Sequence, residues 1–483
     1  MLDGMTGVDR RTFLAVSAVV AGTAASAGIA HAAEAPVFAH GVASGDPLPD
    51  GILLWTRVVT DESVRWEVAR DESFEHVVAR GRTRTGAHRD HTVKVEVSGL
   101  RRATRYWYRF RVDDVVSPVG RTRTAPAGDC PSVRFGVVSC ANWMAGHFVP
   151  YGYLADRDDL DAVIHLGDYI YPHYDPKVRD AEPKHEIITL ADYRTRHALY
   201  KTDPHLQRLH AAHPMIATWD DNESADNSSA VGALGHDPAT EGPWAVRLAA
   251  ATRAYFEWMP IREGIMFRRL RYGSLCDLTM LDLRSYRTPE TIMGARQRDW
   301  LIRGICDDSA RWRLIGTSVM FSPLAIPPAP GFPSVNTDQW DGFPTDRELV
   351  VRALDRKGMK NAVFLTGDIH SSWAVDVPDG SALKSVATEY ITTSITSDNF
   401  DEFLNVPPRT GSLALEAAII AKNPHVRFVE LDSHGVSTLD ITPDEVRMDW
   451  FYTSDRTDPN ATIRKAHSWR TRYGTARVEP VLF

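Results

Sequence analysis

His165-Leu166-Gly167-Asp168-Tyr169-Ile170-Tyr171 follows directly on the apolar run Ala162-Val163-Ile164, so a strand runs out into a glycine and a carboxylate, with a phenol three residues later. In α/β proteins several strand ends converge on a rigid frame, and ligands are held where strands stop and loops begin. The stretch therefore predicts a strand end that delivers ligands.

The same device recurs along the chain. The apolar strand Val133-Arg134-Phe135-Gly136-Val137-Val138 closes in Ser139-Cys140, residues 214–219 lead into Asp220-Asp221-Asn222-Glu223, and residues 362–367 into Asp368-Ile369-His370. A carboxylate can offer one oxygen to each of two cations, which makes Asp168 the candidate bridging ligand. Tyr171 could bind trivalent iron as phenolate, and Cys140 as thiolate is a soft donor suited to a transition metal. If the strand continues through Asp368 and His370, their i, i+2 spacing points both side chains to one face. Taken singly, Asp168 reads as a helix cap, Tyr171 as a core aromatic and Cys140 as a buried small hydrophobe. Glu223 could orient a neighbour, take a cation or be a solvated loop charge.

Ser139-Cys140-Ala141-Asn142, Gly167-Asp168-Tyr169-Ile170-Tyr171, Trp219-Asp220-Asp221-Asn222-Glu223 and Gly367-Asp368-Ile369-His370-Ser371-Ser372-Trp373 occur in an order that resembles the alkaline phosphatase D (PhoD) family, a branch of the metallophosphoesterases. Gly41-Val42-Ala43-Ser44-Gly45-Asp46-Pro47 extends the resemblance nearly to the start of the mature chain. It implies an α/β/β/α sandwich, and metal ligands at Cys140, Asp168, Tyr171, Asp221, Asp368 and His370. It also implies one iron(III) with calcium, a pair of ions on the harder positions, although other divalent cations suit the same donors. Asp168, Asp221, Asn222 and His370 are then the catalytic candidates around a metal-bound hydroxide. Family relatives commonly carry His where this chain has Asn222, and Asn cannot act as a general acid near neutral pH. Arg284 and Arg287 are candidate phosphate contacts, with a structural ion pair to Asp282 or Glu290 as the competing role. Asn142, His236 and Asp338 are further substrate-binding candidates.

The chain has 483 residues, 43% hydrophobic and 24% charged, which is ordinary globular composition. Its formal charge of −8 argues against a protein that binds nucleic acid by phosphate neutralisation. Bound cations can still reverse the sign locally for a phosphate ester. Asp9-Arg10-Arg11-Thr12-Phe13-Leu14, a small apolar run and Ala30-His31-Ala32 read as a twin-arginine signal over residues 1–32. The Tat machinery is thus an expected partner, and the mature protein is placed outside the cell, on the wall or in the periplasm. The run is too rich in Ala and Gly for a membrane span, and no later segment qualifies. The four cysteines, Cys130, Cys140, Cys276 and Cys306, could form disulfides in an exported protein. Cys140 suits a metal better, Cys276 reads as inert core, and Cys306 could pair with it or stay free.

Residues 36–126 alternate apolar and polar positions, as in Tyr106-Trp107-Tyr108-Arg109-Phe110-Arg111-Val112, and predict an immunoglobulin- or fibronectin-like β-sandwich. Thr124-Ala125-Pro126-Ala127-Gly128-Asp129 reads as a linker. Residues 130–483 alternate strands with helices, predicted at 190–201, 244–258, 294–305 and 345–356, and form the catalytic domain. Neither a Gly-x-Ser-x-Gly elbow nor a phosphate-cradling Gly-x-x-x-x-Gly-Lys loop is present. Three functions remain. The first is an exported metal-dependent phosphoesterase acting on mono- and diesters. The second, by resemblance to actinobacterial enzymes of the same family, is a phospholipase D. The third is a non-catalytic binding protein on a decayed fold.

Overall fold

The alternating N-terminal segments are strands: β1 (Val42–Leu48), β2 (Gly51–Arg57), β3 (Ser63–Ala69), β4 (Val77–Arg84), β5 (Thr92–Ser98), β6 (Arg105–Val112), β7 (Val115–Val116) and β8 (Gly120–Arg123). In β6, Tyr106, Tyr108, Phe110 and Val112 are buried while the residues between them are half-buried, the period-two pattern of a strand with one covered face. In this computed structural model the described residues are 36–264, 266–307, 309–327, 334–380 and 384–482. The expected export signal at residues 1–32 lies outside them.

The chain continues with β9 (Val133–Val138), α1 (Val149–Ala155), β10 (Ala162–His165), α2 (Leu190–Tyr200), α3 (Pro204–Ala212), β11 (Met215–Ala217), α4 (Pro238–Glu241) and α5 (Trp244–Trp258). Local chemistry starts the helices. Thr189 and Asp192 form a capping box on α2, and Asp203 caps α3 with Pro204 at its first position. There follow β12 (Arg268–Tyr272), β13 (Cys276–Met280), α6 (Gly294–Ile305), β14 (Trp312–Thr317), α7 (Pro344–Arg356), β15 (Ala362–Thr366), β16 (Ser372–Pro378) and β17 (Ser385–Ile391). The last elements are α8 (Phe400–Leu404), α9 (Ser412–Lys422), β18 (Val426–Glu430), β19 (Gly435–Ile441), β20 (Glu445–Thr453), β21 (Ile463–Arg472) and β22 (Val478–Pro480).

Among the described residues, a ten-stranded sheet runs β22-β21-β20-β19-β9-β10-β11-β1-β2-β5, and a seven-stranded sheet β12-β13-β14-β15-β17-β16-β18. Strands β3, β4, β6, β7 and β8 make a third sheet. Residues 36–126 are thus continuous with the rest, because β1 pairs in parallel with β11. The two large sheets meet through Phe135, Ile164 and Ile216 of one and Leu278, Leu314 and Leu365 of the other. Their opposite faces are covered by helices. Val163 packs with Leu154, Leu209 and Tyr255, and Phe364 with Leu301, Val350 and Leu354. Neighbouring residues on β10 and β15 therefore bury themselves on opposite sides, which is why these strands read as unbroken apolar runs. All four cysteines are free, so the disulfide option is corrected; Cys276 lies in the core between the sheets. Among the described residues no helix is long and apolar enough to cross a membrane.

Under β10 lies a buried cluster of basic side chains. Lys201 Nζ donates to Tyr169 Oη at 3.0 Å, lies 3.2 Å from His210 Nε2, and sits 4.6 Å above the Trp55 ring. His197 stacks on Trp258 with its ring 10° from parallel, and neither ring nitrogen has a hydrogen-bond partner among the described residues. Burial pulls Lys201 well below the usual lysine range and holds His165 and His197 down to about 3. The unfolded chain binds these protons more tightly, so the stability contributed by the neutral imidazoles is full above pH ~6.5 and is lost as pH falls towards their folded values. In urea titrations His197→Phe should therefore gain about 2 kcal/mol on the parent between pH ~7.5 and pH ~5. An unchanged difference would mean that His197 does not titrate on unfolding.

Candidate metal centre

After β9, β10 and β15 the chain turns through left-handed backbone at residues that are not glycine: φ is 59° at Cys140, 59° at Asp168, 63° at Asp368 and 48° at His370. Each such conformation costs about 1–3 kcal/mol and persists only where the surroundings hold it. The surroundings are other strand ends. Cys140 N–H donates to Gly167 O at 3.1 Å, and Ala141 N–H to Asp168 O at 2.9 Å. Gly167 is itself at φ 117°, and a Cβ there would lie 2.6 Å from Asp220 Cβ. The expectation that β15 continues through Asp368 and His370 is corrected. The strand stops at Thr366, and two left-handed turns, not strand alternation, aim these side chains.

The turns gather two donor groups that share Asp168. Ligand atoms of Cys140, Asp168 and His370 lie within 4.8 Å of one another, and so do those of Asp168, Asp220 and Asp221. Tyr171 Oη donates to Asp168 Oδ2 at 2.9 Å, lies 3.3 Å from His370 Nε2 and accepts from Ser397 Oγ at 2.6 Å. His370 Nδ1 sits 2.7 Å from Asp398 O, which orients the ring and leaves Nε2 on the Tyr171 side. Asp368 Oδ2 accepts from Gln339 Nε2 at 3.1 Å. Asp168 Oδ1 is buried with no partner among the described residues.

Burial is the first cause of the charge state here, and repulsion adds to it. It raises Asp168 and Asp368 well above the carboxylate range, Asp221 to about 7 and Glu223 to about 8. Burial, then the charge of Asp168, raises the Cys140 thiol and the Tyr171 phenol, while burial lowers His370 to about 4. A cation would relieve this crowding and satisfy the orphaned oxygen of Asp168. Sulfur, phenol and imidazole on one side of Asp168 suit a transition metal, and the carboxylates on the other suit a harder ion.

The remaining candidates fall into place by their partners. Glu223 is fully buried and accepts from Tyr169 N at 2.6 Å and Asp220 N at 2.9 Å, so it ties two strand ends together. Asn222 Nδ2 donates to Asp221 Oδ1 at 3.0 Å, and Asn142 caps the short turn at Trp143–Ala145. Arg284 and Arg287, the candidate phosphate contacts, both pair with aspartates. The Arg284 guanidinium forks to Asp220 at 2.8 and 3.0 Å and to Asp338 at 2.9 and 2.7 Å, and Arg287 donates to the same Asp338 at 2.5 Å. Asp338 is thereby spent on arginines, and the alternative partners Asp282 and Glu290 are not used by Arg284 side-chain donors. His236 is likewise engaged, with Nδ1 2.7 Å from Glu241 and Nε2 3.1 Å from Gly242 O. Sequence reasoning passed over Gln339, Ser397 and Asp398 and left Asp220 without a role. For Ser397 and Asp398 a signal existed, since β17 runs into a polar stretch, Thr392-Thr393-Ser394, much as the other strands run into theirs.

The family described as PhoD-like phosphatase matches residues 135–450, and its N-terminal domain matches residues 22–126. Alkaline phosphatase D of Bacillus subtilis (strain 168) is 32% identical over 514 aligned positions, covering 94% of this chain and 86% of that protein. The solved structure of PhoD superposes with a TM-score of 0.84 at 31% identity, covering 94% of this chain and 93% of that one.

Asp168→Asn removes the charge that both donor groups share. The metal-stripped variant should melt above the metal-stripped parent, because it loses a buried repulsion. It should also lose most of the rise in melting temperature that added metal ions give the parent. A variant that keeps the full rise would show that ions bind elsewhere.

Proposed function

Since the chain belongs to the PhoD-like phosphatase family and is a phosphoric ester hydrolase, we propose that it cleaves phosphate mono- and diesters at the two donor groups joined by Asp168. Cys140, Tyr171 and His370 with Asp168 would hold iron(III), and Asp168, Asp221 and Asp368 would hold calcium. The reading of a non-catalytic binding protein is set aside. The observation that carries the proposal is the shared, half-unpartnered carboxylate of Asp168 between a soft and a hard donor set.

Bound there, the ions supply Lewis acidity and bring the pKa of a water molecule towards neutrality. The chain's own residues hold the geometry. Ser397 and Asp398 fix Tyr171 and His370, Glu223 spaces the second and third strand ends, and Asn222 orients Asp221. Asn222 has no proton to give near neutral pH, so esters with good leaving groups are favoured. We read the facing sheets with their outer helices as the metallophosphoesterase α/β/β/α sandwich. We read residues 36–126 as its immunoglobulin-like partner, residues 130–483 as the catalytic domain and residues 1–32 as a Tat signal that exports the enzyme to the periplasm, wall or medium.

The test compares the metal-loaded enzyme on a phosphomonoester, a soluble phosphodiester and phosphatidylcholine vesicles. Soluble esters should turn over fastest, with Asp368→Ala slower by about a hundredfold or more. Faster headgroup release from vesicles would make phospholipids the substrate, and an unaffected Asp368→Ala would sink the site. Iron-loaded protein should also show a broad visible charge-transfer band that Tyr171→Phe weakens. Colourless protein with stoichiometric iron would remove Tyr171 as a ligand.

A further inference from the structure

The sheet built from β3, β4, β6, β7 and β8 has one covered face and one exposed face. Val64, Val68, Tyr108 and Phe110 pack inwards, and Gly81 lies so close to the Trp66 ring that a Cβ there would collide with it. Their neighbours along each strand therefore point the other way. Arg82 stands opposite Arg65 and Arg65 opposite Arg111, which puts three arginines in one row across β4, β3 and β6. Arg80, Glu67 and Arg109 form the next row, and Arg84 follows at the end of β4. Glu67 is the one acid among the outward strand residues, and Arg109 holds it in an ion pair at 2.7 Å. Arg121 and Arg123 of β8, on the same face, are already paired with Asp158 and Asp161.

The arginines nearer the free edge are not. Arg80, Arg82 and Arg84 are exposed and have no ion pair or side-chain hydrogen bond among the described residues. Arg65 is exposed too and donates to the carbonyl of Asp113, and Arg111 Nε is buried with no partner among the described residues. Like charges directly opposite each other destabilise a sheet. Charged side chains on an edge strand do keep it from pairing with another chain, but alternating signs would serve that purpose without the repulsion, and Arg65 and Arg111 lie on inner strands. Basic residues outnumber acidic ones over residues 36–126, although the whole chain carries a formal charge of −8. A partner that brings negative charge to this face removes the repulsion.

We propose that this face docks the protein on a linear polyanion with one oxyanion on each repeat. Arg80, Arg82 and Arg84 recur at every second residue along β4, a spacing of about 6.8 Å. An extended polymer whose repeats match that length meets one guanidinium in each, and Arg65 and Arg111 widen the track inwards. An anionic bilayer fits less well. No aromatic side chain of residues 36–126 is exposed, whereas surfaces that lie on membranes carry aromatic rings at headgroup level. The same lack removes the stacking on which single-stranded nucleic acids depend. None of these arginines belongs to the metal centre, so the face tethers the protein and leaves the chemistry elsewhere.

Dextran sulfate has this charge pattern and no phosphate ester. Its binding to the full-length, metal-loaded protein is measured by titration calorimetry at a series of salt concentrations. If Arg65, Arg80, Arg82, Arg84 and Arg111 each release a counterion, the affinity should fall about a hundredfold from ~50 to ~200 mM salt. The triple variant Arg80→Gln, Arg82→Gln, Arg84→Gln should bind about a hundredfold more weakly near ~0.1 M salt, with the slope of log affinity against log salt lessened by about 2. It should melt no lower than the parent, since a repulsion has gone, and should turn over a soluble phosphodiester at the parent's rate. The triple variant Arg296→Gln, Arg303→Gln, Arg352→Gln makes the same change in net charge at exposed positions elsewhere and should bind like the parent. Equal losses in both triple variants, or an unaltered slope in the first, would overturn the proposal. So would tighter binding to phosphatidylglycerol vesicles than to the polymer.

Discussion

Arg284 carries the electrostatics of this protein. Its side chain is 1% exposed, and its guanidinium forks towards Asp220 at the end of β11 and towards Asp338 in the loop before α7. Around it stand Asp168, Asp221 and Asp368, all buried and all pushed upwards. Breaking such a pair by removing one partner costs about 3–5 kcal/mol, because a charge is left buried and alone. One arginine cannot neutralise this many acids. The excess negative charge makes the centre receptive to cations, and the arginine makes it stable enough to persist.

Those acids meet because two sheets face each other. The inner residues of β9, β10 and β11 pack on those of β13, β14 and β15, so the C-terminal ends of strands from both sheets arrive at one edge. After β9, β10 and β15 the chain turns sharply at Cys140, Asp168, Asp368 and His370, in a backbone region these residues otherwise avoid. Glu223, Ser397 and the carbonyl of Asp398 hold the turns in register. The strain sits at the donor residues, and backbone bonds between the turns themselves, with Glu223, Ser397 and Asp398, sustain it.

The centre also has two kinds of surroundings. On the side of Asp220 and Asp338 it is bounded by the ion pairs of Arg284. On the side of Asp368 and His370 it borders a cavity lined by apolar residues of α8 and α9 together with Asn336, Gln339, Ser371 and Asn399.

Strand ends and family membership were legible in the sequence because both are written in local order. Apolar runs ending in Cys, Asp, Tyr or His mark β9, β10, β11 and β15, and helices α5 and α6 fall on the predicted 244–258 and 294–305. The meeting of Asp168 with both groups of strand-end donors was legible for the same reason. The roles of Arg284, His236 and Asp338 were not, because an arginine past a buried strand reads the same whether it faces a phosphate or an aspartate 64 residues away. Nor could spacing distinguish a strand that runs on through Asp368 and His370 from one that stops and turns. Those outcomes depend on which distant groups remain unpaired once the sheets have packed, and only the tertiary structure decides that. Sequence determines which donors are available; burial decides which of them are already spent.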